Sequence, residues 1–118
     1  MAKIIFHLST CSTCVKILKD LQAGPDVVFQ DIKADRLTPK QLDALKVLSG
    51  SYEALFSRRS LQYKARGLAG KSLTEDDYRS LILEEYTFLK RPVVLLGKEI
   101  FVGNTAPVVA AAKAALAR

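Results

Sequence analysis

The chain has 118 residues, 49% hydrophobic and 25% charged, with four Pro and six Gly. This ordinary globular composition suits one compact domain rather than two, and carries enough Leu, Ile, Val and Phe to argue against disorder. The formal charge of +6 bears on partners and not on fold.

Lys3 to Leu8 (KIIFHL) reads as a short buried strand, followed by a polar turn through Ser9, Thr10, Cys11, Ser12 and Thr13. From Cys14 onward Val15, Leu18 and Leu21, with Ile17 beside them, keep helical spacing until Gly24-Pro25 stops the helix. Val27 to Ile32 is a second strand. Thr38-Pro39-Lys40-Gln41 starts a helix, with Thr as N-cap, Pro at the first position and Gln three residues on. Leu42, Leu45 and Leu48 supply its buried stripe, Ser49-Gly50 ends it, and a short helix follows over Tyr52 to Phe56. Arg58, Arg59, Lys64, Arg66 and Lys71 then fall between Ser57 and Ser72 without an acid or a clear period. Such a run reads as a solvated face or as a surface for an anionic partner.

Thr74-Glu75-Asp76-Asp77 opens the next helix, its acids placed where the helix dipole favours them. Tyr78, Leu81, Ile82 and Tyr86 are its inward positions. Arg91-Pro92 leads into a β-branched strand over Val93 to Leu96. Gly97-Lys98 is a two-residue turn to its hairpin partner, Glu99 to Val102. Gly103-Asn104 breaks that strand, and Thr105 caps an Ala-rich helix running to Ala117. The order is β-α-β, a helical block over about residues 38–90, then β-β-α, with no internal repeat and no linker. A β-α-β unit needs parallel strands and the hairpin needs antiparallel ones. One mixed four-stranded α/β sheet, with the first and last helices against its faces, satisfies both.

The two cysteines form a CxxC: Cys11-Ser12-Thr13-Cys14. A disulfide across so short a loop stabilises little, and a lone CxxC without an export signal points to redox chemistry or metal. Zinc needs about four ligands, and Cys11, Cys14 and the single His7 fall short of a site, so no metal is expected. The CxxC lies where a strand meets a helix, and the free N–H groups of a helix start favour a thiolate. Cys11, at the mouth, is the expected nucleophile. Cys14, a turn deeper, is the expected resolving thiol. His7 is either a donor that lowers the Cys11 pKa or a satisfied core histidine. Ala65 to Ser72 (ARGLAGKS) imitates a phosphate-binding P-loop, but that loop must follow a buried strand, and the basic aperiodic residues before it do not form one. Nucleotide binding is therefore not expected. No helix-turn-helix is present, so direct nucleic-acid binding is not expected either. The uncharged run Ile4 to Val15 is too short and polar to span a bilayer. With no cleavage-site pattern, the expectation is a cytoplasmic monomer.

His7, Cys11 to Lys16, the Ser57-Arg58-Arg59-Ser60 segment, Arg91-Pro92-Val93-Val94 and Phe101-Val102-Gly103-Asn104 together resemble the ArsC/Spx family. That family contains glutaredoxin-linked arsenate reductases and Spx-type transcriptional regulators. The resemblance covers essentially the whole chain. It implies a thioredoxin-like fold with a helical insertion between the βαβ and ββα halves, and a cis Arg91-Pro92 bond with Pro92 beside Cys11. It makes Cys11 the catalytic cysteine, with His7 near it, Arg59 (or Arg58 in the alternative register) and Arg91 as oxyanion-binding arginines. Ser12 and Thr13, on the active loop, and Pro92 join these as substrate-binding residues. It also implies glutathione or another thiol as co-substrate, glutaredoxin or thioredoxin as reductant, and no metal or organic cofactor. Two departures stand out. The reductases carry a third arginine after the last strand, where Ile100 to Asn104 has none, and they generally lack a second cysteine at Cys14. Both departures resemble the Spx branch, whose CxxC is a redox switch and whose partner is RNA polymerase. Three functions follow: a thiol-dependent arsenate reductase, a general disulfide reductase, and an Spx-like regulator.

Overall fold

In the computed structural model, which describes residues 3–118, the chain divides into two compact units. The first holds residues 3–36 and Arg91–Arg118, and the second holds Leu37–Lys90. The first unit is built on β1 (Lys3–His7), which lies between β2 (Val28–Asp31) and β3 (Val93–Leu96), with β4 (Glu99–Val102) outside β3. β1 runs parallel to β2 and antiparallel to β3, and β3 and β4 form an antiparallel hairpin. The mixed four-stranded sheet expected from the element order is therefore present, and the fold is thioredoxin-like.

Helices α1 (Ser12–Leu21) and α5 (Ala106–Leu116) pack on one face of this sheet. Ile5 and Val94 are register partners and share a core with Leu21 and Ala112. Ile17 and Leu18 of α1 and Val109 and Leu116 of α5 close around the same cluster. Burying the Ile5, Leu21 and Val94 side chains contributes roughly 1.5–3 kcal/mol each. Lys113 and Asp20 join the two helices at the surface, 3.0 Å apart. The sequence left open which face each helix covers; the structure gives both the same one.

The structure shifts the ends of α1. The helix starts at Ser12 rather than Cys14, with Cys11 as its N-cap. It ends at Leu21, ahead of Gly24, because Gln22 adopts the left-handed conformation at φ 50°. Val15, one of the helically spaced apolar residues, is exposed. Thr105 holds the N-cap position of α5, yet its hydroxyl makes no capping bond.

The second unit contains α2 (Pro39–Ser49), α3 (Leu61–Ala65) and α4 (Glu75–Glu84), with 3₁₀ turns at Glu53–Leu55, Leu68–Gly70 and Tyr86–Phe88. Thr38 and Gln41 complete a capping box on α2, as the sequence predicts, and Gly50 ends that helix in the left-handed region at φ 97°. Phe56 is the aromatic hub. It stacks on Phe88 at 5.0 Å between ring centres and meets Tyr78 at 4.9 Å and Tyr63 at 5.9 Å. The Asp43 carboxylate ties α2 to α4 through two bonds from Arg79, at 2.8 and 3.2 Å, and receives the Tyr52 hydroxyl at 2.5 Å. The basic stretch is not structureless, because Ser60 caps α3 within it. No residue of α3 is buried, so no apolar period marked it. The P-loop look-alike follows this helix rather than a strand and forms a 3₁₀ turn entered through Gly67 at φ 66°. Among the described residues no helix is long and apolar enough to cross a membrane.

Candidate functional site

The strand β1 ends at His7, and a tight turn over Leu8, Ser9, Thr10 and Cys11 carries the chain to α1. The Cys11 N–H donates to the Leu8 carbonyl at 3.0 Å, closing that turn. Cys11 sits at the N-cap in extended conformation (φ −94°, ψ 112°), and its carbonyl accepts the first helical bond, from the Val15 N–H at 3.1 Å. Ser12 and Thr13 follow as the first two helical residues, both exposed. The backbone N–H groups of a first helical turn have no acceptor within the helix, so they face whatever anion stands at the N-cap.

Cys11 is half-exposed and Cys14 is buried. Burial pushes the Cys11 thiol up, but the Cys14 N–H, the Cys14 thiol and the Arg91 guanidinium together outweigh it, and the Cys11 pKa is lowered. The Cys14 N–H acts electrostatically here, since the Cys11 side chain makes no full capping bond. Cys14 moves the other way. Burial pushes its thiol up to about 11; the Leu8 backbone opposes this shift and neighbouring Cys11 adds to it. The two thiols thus separate into one that ionises more readily and is accessible and one that ionises less readily and is covered.

Arg91 precedes β3, and the bond between it and Pro92 is cis, as the resemblance implies. Pro92 is fully buried, and its carbonyl accepts the Gly103 N–H at 2.9 Å. Cys11, Cys14 and Arg91 are therefore brought together. His7 is half-buried, edge-on to Phe29 with ring centres 6.0 Å apart, and its Nδ1 is buried without a hydrogen-bond partner. Its ring meets Phe29, its charge acts on Asp31, and its carbonyl accepts the Ile32 N–H at 2.9 Å. Asp31 is its register partner on β2. Sequence motifs passed over Asp31, which accepts the Ser9 hydroxyl at 2.6 Å, the Ser9 N–H at 3.3 Å and the Lys33 N–H at 3.2 Å. Only the parallel pairing of β1 and β2 reveals it.

Arg58 and Arg59 belong to the second unit, and the structure distinguishes them. Arg58 donates to Glu53 at 2.7 Å and to the Tyr78 hydroxyl at 3.0 Å, and lies over the Tyr78 ring. Arg59 is exposed and has none of these ties. Among the described residues no three His, Cys, Asp or Glu side chains cluster as metal ligands. A cleft of about 330 Å³ opens at the other end of β1, around Lys3, Asp26, Glu99 and Arg118. Those four charges pair with one another, and neither cysteine lines the cleft.

The ArsC family profile matches residues 6–112. An ArsC family related protein from Bacteroides fragilis has a similar structure, with a TM-score of 0.80 and 26% identity over 95% of this chain and 98% of that one. An arsenate reductase related protein from Brucella melitensis matches with a TM-score of 0.67 and 24% identity, over 94% of this chain and 93% of that one. An arsenate reductase from Vibrio cholerae matches with a TM-score of 0.68 and 21% identity, over 92% of each chain. The last two likenesses speak for the fold. No curated protein matches the chain in sequence.

Proposed function

The chain belongs to the ArsC family, and on that premise we propose that it is a thiol-dependent reductase in which Cys11 is the nucleophile. The observation that carries this reading is the opposed pair of thiols: Cys11 lowered beside Arg91 at a helix start, Cys14 buried and raised. For arsenate, the Cys11 thiolate attacks arsenic and displaces one oxygen as water, leaving a thiolate–arsenic(V) adduct. A second thiol, from glutathione or Cys14, then attacks the Cys11 sulfur. As that S–S bond forms the S–As bond breaks, its electron pair leaves with arsenic, and arsenic(V) is released as arsenic(III) while the two thiols become a disulfide. Glutaredoxin or thioredoxin reduces that disulfide in turn, and no metal or organic cofactor takes part.

In this reading Arg91 and Arg59 hold the oxyanion, because guanidinium forks bind tetrahedral oxyanions in pairs of bonds. Arg58 is engaged by Glu53 and Tyr78, which favours Arg59 for that role. Residues Ile100 to Asn104 offer no third arginine. A missing charge-assisted hydrogen bond costs about 1.5–3 kcal/mol, or roughly ten- to a hundred-fold in affinity. Arsenate turnover is accordingly weak. That shortfall and the buried Cys14 favour a second reading, a CxxC oxidoreductase or redox switch that closes a Cys11–Cys14 disulfide.

Turnover with arsenate and with a small disulfide, each supplied with glutathione and glutaredoxin or with thioredoxin, separates the two. Slow arsenate reduction that depends on Cys11, Arg59 and Arg91 and rises when Gly103→Arg or Asn104→Arg is installed supports the first. Rapid disulfide reduction with no arsenate turnover in either form supports the second.

A further inference from the structure

We propose that Asp31 is a positioning residue for Cys11, its carboxylate holding Ser9 inside the turn that delivers Cys11 to the head of α1. The proposal rests on the reading of Cys11 as the reactive thiol. Ser9 is the first central residue of the Leu8–Cys11 turn, two positions before the cysteine. It and Thr10 are exposed, so burial anchors the turn at Leu8 but does not hold its two central residues. The holding falls to hydrogen bonds. The Cys11 N–H closes the turn on Leu8, and Asp31 grips Ser9 twice, through its hydroxyl at 2.6 Å and its N–H at 3.3 Å.

Asp31 is itself fixed. It ends β2 in parallel register with His7, and its Oδ1 also accepts the Lys33 N–H at 3.2 Å. The carboxylate thus joins the start of the loop after β2 to the start of the loop after β1. The Ile32 N–H bond to the His7 carbonyl, at 2.9 Å, continues the same seam. The turn sets where the Cys11 sulfur stands relative to the Cys14 N–H and Arg91, and a turn free to move leaves those groups misaligned.

The charge on Asp31 and its hydrogen bonds act in opposite directions on Cys11. A carboxylate near a thiol opposes the thiolate, so removing the charge alone lowers the thiol pKa. Losing the grip on Ser9 removes thiolate stabilisation and raises it. Cys14 on α1 and Arg91 ahead of β3 act on the Cys11 thiol, His7 on β1 acts on Asp31, and Lys33 follows β2 with its N–H on the Asp31 carboxylate; all four are retained in the variants below.

The test is the pH dependence of Cys11 alkylation by iodoacetamide, read peptide by peptide by mass spectrometry, with thermal unfolding measured alongside. The intact chain is compared with Asp31→Ala, Asp31→Asn and Ser9→Ala. Asp31→Ala is expected to raise the Cys11 midpoint and slow its neutral-pH reaction roughly three- to ten-fold, a shift of about half to one unit. Asp31→Asn loses the same charge but keeps an acceptor for the Ser9 hydroxyl, so its midpoint lies below that of Asp31→Ala. Ser9→Ala, which removes one bond from the other side, also raises the midpoint. A lowered midpoint in both Asp31 variants assigns the residue a charge effect only and overturns the proposal. So does an unmoved midpoint in Ser9→Ala and the Asp31 variants beside a fall in unfolding temperature. An ordinary midpoint already in the wild-type chain overturns the reading of Cys11, and this proposal with it.

Discussion

At the head of α4, Thr74 accepts the Asp77 N–H at 3.2 Å and Asp77 accepts the Thr74 N–H at 2.8 Å, while Glu75, Asp76 and Asp77 fill the first turn. At the head of α1, Cys11 stands in the same N-cap position with no side-chain capping bond and no acid in the first turn. Both helices present the same orphan amides and the same positive end. One end is saturated by neutral and acidic side chains and contributes stability. The other is left open, and in the proposed reading the charge that completes it is the Cys11 thiolate. On that reading the chain forgoes a few tenths to about 1 kcal/mol of capping in favour of a reactive sulfur.

Cys11→Ser breaks the comparison most severely, because it converts the head of α1 into an ordinary capped end. Thiol reactivity and turnover disappear, while the serine hydroxyl caps the helix and adds up to about 1 kcal/mol of stability. Turnover assays and thermal unfolding read the two effects, and a variant both inactive and less stable contradicts the capping argument. Arg91→Gln leaves the helix end alone and removes the neighbouring cation. The Cys11 alkylation midpoint should rise by about one unit, slowing reaction at neutral pH about tenfold. Thr74→Ala acts at the saturated end. It should cost about 1 kcal/mol in denaturant unfolding and leave Cys11 reactivity where it was.

Smaller effects sharpen the contrast. Thr13→Glu makes α1 begin as α4 does. A carboxylate in the first turn competes for the same positive end, worth roughly 0.3–1 kcal/mol, and should slow neutral-pH alkylation about two- to five-fold. The smallest effect concerns Asp43, whose carboxyl is held down to about 2 by the Arg79 guanidinium first and the Tyr52 hydroxyl second. A carboxyl depressed in the folded state stabilises the fold fully above its ordinary range near pH 4, and that stability is lost as pH falls toward 2. The pair is half-exposed, so solvent screening keeps the gain modest. Urea unfolding between pH 4 and pH 2 should weaken less steeply in Asp43→Asn than in the wild-type chain.

How far the sequence revealed these two helix ends follows from their chemistry. Thr74-Glu75-Asp76-Asp77 announces a helix start in residue types alone, and the structure places the N-cap at Thr74. Cys11-Ser12-Thr13 announces a turn, because Ser and Thr are weak helix formers and the only buried position in that first turn is Cys14. The helix start was therefore read two residues late, although the CxxC was correctly placed between a strand and a helix. The four strands and the antiparallel hairpin were readable from apolar runs and from the hairpin turn, whereas the place of β1 between β2 and β3 was not. Helix α3 was not, since Leu61 is 87% exposed and no apolar stripe forms. Asp31 was not readable either. Its partners lie across a parallel strand pair, and one-dimensional spacing carries no register.

The most direct test of the central claim is residue-resolved alkylation of the wild-type chain across pH 5 to 12. The account predicts that Cys11 reacts with a midpoint below the ordinary thiol value of about 8.5, while Cys14 stays protected until the pH approaches about 11. Two cysteines titrating together near the ordinary value, or Cys14 reacting first, would contradict it.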